Sequence, residues 1–292
     1  MKRVLMSFFA VGLATWVVFL GSTGLAQSPP TPIPFKVFDG MAYPNKPDLS
    51  VHGISPITMV YTGAFGPDWH KQADGRLPNI EAVQAVARTA HQKGHMVVLD
   101  IEHWPVKGSP AVVGASMTKF ITVLNWFRAA APGLSVGYYG APPIRDYWRA
   151  IDVTSSPEYR AWMAENDQLR PLSSVVDAFY PSIYTFYTDQ AQWKSYAIAQ
   201  IAEARRNGGG KPIYIVLWPQ YHDSNLLLRG SYLPADYWLL QLQTAREYAD
   251  GVVIWDVATN WNENAVWWNT TKEFMKTLTQ ARPPAPKTLL IQ

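Results

Sequence analysis

Two hydrophobic periods alternate along this chain. Short runs that are apolar at nearly every position fall at 35–38, 57–61, 95–101, 135–139, 178–184, 212–218 and 251–255. Longer stretches with apolar positions three and four apart lie between them, at 79–93, 117–130, 189–206 and 233–248. The short runs read as strands buried on both faces, and the longer ones as helices that cover them. Asn79 and Asp189 stand where helix caps belong, and Gly94 and Asn207-Gly208 stand where two helices should stop. Strands joined through helices need crossover connections and so build a mainly parallel sheet. The expected fold class is therefore α/β, a TIM-like (β/α) barrel, distorted or with seven clear strands. No glycine-rich phosphate loop opens any helix, which speaks against a nucleotide-binding open sheet.

The ends of the chain change the picture. Lys2 and Arg3 precede an apolar run over 4–20, and small residues follow at Gly24 and Ala26. Residues 1–26 are expected to be a signal peptide, or a membrane anchor if they are not cleaved. Residues 27–34 form a Pro-rich tether, 35–280 a single catalytic domain and 281–292 a C-terminal tail. The expected location is secreted or periplasmic, with membrane contact only through an uncleaved N-terminal segment. The chain has no cysteine, which excludes disulfides, thiolate metal sites and cysteine nucleophiles. Setting Lys2 and Arg3 aside leaves 23 of the 25 basic residues against 22 acidic ones, a net charge of about +1. With no basic cluster, no nucleic-acid partner is expected. A monomer is expected.

Aromatic and acidic residues then point to chemistry. Thirteen Trp and fifteen Tyr accompany only 16% charged residues. Sugar rings present apolar C–H faces that stack on such rings, so an oligo- or polysaccharide partner is expected. In a barrel the C-terminal strand ends converge on the active face. Asp39, Asp100, Glu102, Tyr138, Tyr139, Tyr184, Trp218, Trp255 and Asp256 all stand at or just beyond expected strand ends.

The stretch MVVLDIEHW, 96–104, is the most informative. Residues two apart on a strand share a face, which brings the Asp100 and Glu102 Cβ atoms to roughly 6–7 Å. Two carboxylates so close repel, so one should hold a proton near neutral pH, as protonation of a glycosidic oxygen requires. Ion pairs with rim Lys or Arg are the plain alternative. A metal held with His103 or His222 is another, but no ligand spacing supports it, and no metal or cofactor is expected. Glycosidases with two catalytic carboxylates draw them from different strands, which would make Asp39 or Asp256 the second group. A pair on one strand fits another scheme, in which the substrate's 2-acetamido oxygen is the nucleophile. Glu102 is then the acid and base, and Asp100 holds the acetamido N–H. A non-catalytic carbohydrate-binding barrel stays open as well.

Five segments, in order, resemble motifs of the hyaluronidase-like glycoside hydrolases: VVLDIEHWP at 97–105, VGYYGAP at 136–142, ENDQL at 165–169, YPSIY at 180–184 and GVVIW at 251–255. The resemblance implies a distorted (β/α) barrel and retaining, substrate-assisted cleavage at an N-acetylhexosamine. Asp100 and Glu102 match the family's catalytic pair, Tyr139 and Tyr184 its sugar-lining tyrosines, and Trp255 its aromatic floor. The chain departs from the family where Trp104 runs directly into Pro105 and where Asp256-Val257 follows Trp255.

Overall fold

A computed structural model describes residues 34–278, except 67–68 and 72–74. The expected signal peptide, most of the tether and the C-terminal tail lie outside the described residues. Among the described residues no helix is long and apolar enough to cross a membrane.

Among the described residues there are seven short parallel strands: β1 (Lys36–Asp39), β2 (Ser55–Pro56), β3 (Thr58–Tyr61), β4 (Val97–Asp100), β5 (Val136–Tyr138), β6 (Tyr214–Leu217) and β7 (Gly251–Ile254). They form a four-stranded sheet ordered β2-β1-β7-β6 and a three-stranded sheet ordered β3-β4-β5. Two seams close these sheets into one ring. At the first, a single segment pairs with β1 through Ser55–Pro56 and with β4 through Thr58–Tyr61. At the second, residues 177–183 hydrogen-bond to β5 on one side and β6 on the other. Gly140 N donates to Tyr180 O at 2.9 Å, and Val216 N donates to Pro181 O at 2.9 Å. That segment was expected as a regular strand over 178–184. Pro181 has no N–H to give its ladder, so the pairing survives as isolated bridges. The result is a (β/α) barrel with seven staves.

Side-chain parity sorts the strands into two cores. Phe38, Val98, Tyr139, Tyr180, Tyr214 and Val216 meet inside the barrel. Their neighbours in sequence, including Val37, Val97, Leu99, Tyr138, Ile215 and Leu217, face the surrounding helices. Burial on both faces explains why these runs are apolar throughout. Gly137 makes room inside: a Cβ there would stand 2.3 Å from Ala178 O and 2.8 Å from the Tyr180 ring.

Among the described residues eight α-helices surround the barrel: α1 (Ile80–Lys93), α2 (Pro110–Ala130), α3 (Tyr147–Ala150), α4 (Pro157–Asp167), α5 (Arg170–Val175), α6 (Gln190–Gly208), α7 (Ala235–Tyr248) and α8 (Val266–Thr277). Asn79 caps α1 by accepting from Ala82 N at 3.0 Å, and Gly94 ends it at φ 68°, a left-handed turn that glycine adopts without a Cβ clash. Asp189 caps α6, which runs on to a stop at Gly209 rather than Asn207-Gly208. Helix α2 begins at Pro110, seven residues before the expected start at 117, because Ser109 caps it and Pro110 fits its first turn. Helices α3, α4 and α5 fall in stretches where the apolar period is short or interrupted, whereas α8 was missed although Trp267, Trp268, Thr271 and Phe274 recur on one helical face.

Candidate active site

Asp100 ends β4 and Glu102 follows two residues later, both with the inward parity of Val98. Their shared face is as expected from the sequence. The two differ in depth: Asp100 is half-buried and Glu102 exposed. Neither accepts a hydrogen bond or forms an ion pair among the described residues. The plain alternative, a rim ion pair, is therefore not what holds them. Burial, reinforced by the negative charge of Glu102, pushes the Asp100 carboxyl up to about 7. The sequence called for one protonated member and gave the acid's role to Glu102; the raised carboxyl is instead that of the more deeply placed Asp100.

Three adjoining hollows meet at Glu102. The largest, about 310 Å³, runs past Trp104, Lys107, Tyr139, Arg145 and Ser182. The second, about 180 Å³, is an aromatic lobe that adds Asp100, Tyr184, Trp218, His222 and Trp255. The third, about 220 Å³, lies against Tyr61, Thr62 and His103.

The aromatic lobe is built as one packed unit. Trp255 stacks on Tyr184 at 5.9 Å and 25°, and Trp218 meets Trp255 edge-on at 5.1 Å. Trp255 Nε1 donates to Tyr61 Oη at 2.9 Å. The Tyr139 hydroxyl shares a 2.8 Å hydrogen bond with Ser182 Oγ, and burial pushes its pKa up to about 12, so it stays protonated. His222 Nδ1 accepts from Ser224 N at 3.1 Å, and burial, then the Arg145 charge, push its pKa down. The neutral ring therefore carries its hydrogen on Nε2.

Tyr139, Tyr184, Trp218 and Trp255 thus come together with the acidic pair. Three other expected site residues do not. Tyr138 faces outward, where its hydroxyl donates to Phe120 O of α2 at 2.8 Å. Asp39 also has outward parity and pairs with Lys46 at 2.6 Å. Asp256 is fully buried behind the lobe, accepting from Trp218 Nε1 at 2.8 Å, Gln220 Nε2 at 2.9 Å and the Tyr43 hydroxyl. Its carboxyl positions Trp218 and has no access to a ligand. Burial pushes its pKa upward. His103 and His222 line different hollows, and among the described residues no group of three or more His, Asp or Glu could hold a metal.

Arg145 is the important residue that the sequence reading missed. It lines two of the hollows, lies over the Phe186 ring at 5.8 Å and reaches Ser182 Oγ at 3.4 Å. The preceding residue is clamped from three sides. Asn166 Oδ1 accepts from Ile144 N at 2.7 Å, while Trp162 Nε1 and Gln200 Nε2 donate to Ile144 O at 2.9 and 3.2 Å. Asn166 belongs to ENDQL, so that motif pins the turn presenting Arg145. Tyr61 was also missed, although its place at a strand end followed the same logic as Tyr184.

The architecture is similar to that of bee venom hyaluronidase in complex with a hyaluronic acid tetramer. The two share 15% identity and a TM-score of 0.57, over 84% of this chain and 96% of that one. A monoclinic crystal structure of bee venom hyaluronidase gives 15% identity and a TM-score of 0.53, over 84% and 97%. No family model matches the sequence, and no curated protein matches it. The likeness is one of fold: both chains are (β/α) barrels.

Proposed function

We propose that the protein is an exported glycoside hydrolase that cleaves a glycan at an N-acetylhexosamine by retaining, substrate-assisted catalysis. The observation that carries this reading is the unpartnered Asp100–Glu102 pair on one strand face, at the junction of an aromatic lobe and a polar hollow. The hyaluronidase-like motifs and the shared barrel fold support it. Lys2, Arg3 and the apolar run over 4–20 support export.

In this scheme the cleaved sugar lies in the aromatic lobe, its apolar face on Trp255 and its hydroxyls within reach of Tyr184 and His222. Glu102, common to all three hollows, gives a proton to the glycosidic oxygen as the bond breaks. The acetamido oxygen attacks the anomeric carbon, and Asp100 accepts the acetamido N–H while stabilising the cationic ring. Glu102 then takes a proton from water, which opens the ring with retention. The pair shares one proton: in the open cleft burial keeps it on Asp100, and the scheme requires it to pass to Glu102, two residues on, as the acetamido N–H binds and leaves Asp100 a carboxylate.

The conventional two-carboxylate alternative assigns the second role to Asp256. The two schemes separate in paired variants. Asp100→Asn is expected to lower kcat by about 100-fold or more. Asp256→Asn is expected to lower Tm and shift the Trp218 environment while leaving kcat within about ten-fold of wild type. A folded Asp256→Asn protein as inactive as Asp100→Asn would favour the conventional scheme.

A further inference from the structure

Beside the largest hollow stands an aromatic pair that the cleavage scheme does not use. Trp148 is 58% exposed and Tyr187 is 40% exposed, and their rings lie 5.1 Å apart. Tyr147, buried beneath them, contacts Trp148 at 5.2 Å and Tyr187 at 4.9 Å. So large an exposed indole, in the company of a second exposed ring, is unusual on a surface with no partner.

The helix that carries Trp148 is held in place by charge. Trp148 rides on the four-residue helix α3, whose cap Asp146 accepts from Arg149 N at 3.2 Å. Asp146 also pairs with Lys107 at 2.9 Å, and Lys107 itself lines the 310 Å³ hollow. Arg149 grips Glu165 through two hydrogen bonds of 2.9 and 2.7 Å. One short helix is thus tied on one side to the cleft wall and on the other to α4. Trp148 comes three positions after Arg145, which lines the same hollow and lies over Phe186, next in sequence to Tyr187. The exposed rings thus stand just beyond the lining residues of the hollow, one about a helical turn from Arg145 and the other next to the Phe186 that Arg145 covers.

We propose that Trp148 and Tyr187 form a remote sugar-stacking platform. It would bind units of the glycan several residues from the scissile bond and so make the enzyme act within long chains. The proposal rests on the glycoside hydrolase reading above and deepens it. Rigid aromatic faces suit this task, because a sugar ring stacks on them without ordering the side chain first.

The test is calorimetric titration of Glu102→Gln, alone and combined with Trp148→Ala or Tyr187→Ala. The probes are chitin oligosaccharides and cello-oligosaccharides of two to eight units. Affinity is expected to rise with length, and each added substitution to weaken the longest bound oligomers roughly ten-fold, leaving the shortest unchanged. Trp148→Phe should restore part of the loss. Identical length dependence with and without Trp148, equal losses at every length, or no binding by any oligomer would each overturn the platform. Length-dependent binding through Trp148, with no cleavage by wild type, would keep the platform and overturn the hydrolase reading. Cleavage insensitive to Trp148 would do the reverse.

Discussion

Under the proposed mechanism a single proton on Asp100 links catalysis to stability. In the folded chain its carboxyl keeps that proton up to about pH 7, whereas an unfolded aspartate loses it near 3.9. Between these values the folded state binds the proton and the unfolded state does not, so stability falls as pH rises. Activity should follow a related limb. Because the pair's proton is stored on Asp100, kcat/KM is expected to fall about ten-fold per unit as pH rises above 7, in a steady-state profile on the cleaved glycan. Asp100→Asn removes the buried charge without changing volume. At pH 8 it should raise Tm by a few degrees, since about 1 kcal/mol corresponds to ~2–4 °C in a domain of this size, even as it abolishes turnover. A Tm that falls, or a pH profile flat through 7 to 9, would contradict the role given to Asp100.

The residues that the sequence reading placed wrongly share one cause. Tyr138 and Tyr139 are adjacent, as are Trp255 and Asp256, and Asp39 follows Phe38. On a strand only one member of each pair can face the barrel interior. Nomination by position at a strand end took both members of the first two pairs and the outward member of the third; the parity set by Val98 and Asp100 selects Tyr139 and Trp255. Alternation was thus enough to place the acidic pair, whose members are two apart.

At the scale of elements, strands and long helices were legible because burial writes a continuous or 3.6-residue pattern into them. Helix α2 was expected to start only at 117, yet Ser109-Pro110 is itself a helix start, a cap followed by a proline that fits the first turn. Arg145 could not be found from local pattern. It lies outside any strand, and its position depends on Asn166, Trp162 and Gln200, which are distant in sequence. That clamp makes a prediction about α4. Asn166→Ala leaves the Ile144 N–H buried without its acceptor and should cost about 1–3 kcal/mol in chemical denaturation. It should also lower kcat/KM, because the turn carrying Arg145 loses its anchor. Unchanged stability together with unchanged activity would show that the turn is held by other means.

The whole molecule divides its labour between its two cores. The helix-facing layer supplies the burial that a chain without cysteines needs, and the inner layer supplies the cleft. Seven staves, one of them interrupted at Pro181, still close the ring, so the strand ends converge on one face and bring Asp100, Glu102 and the aromatic lobe together. The central claim is that this face cleaves glycans at N-acetylhexosamine bonds using Glu102. The most direct measurement is a mass-spectrometric digest of a glycan panel by wild type and Glu102→Gln, covering hyaluronan, chondroitin, chitin oligomers, peptidoglycan and several neutral polymers. The predicted result is cleavage confined to N-acetylhexosamine linkages and lost in the folded variant. Cleavage of a neutral polymer, or undiminished cleavage by Glu102→Gln, would contradict it.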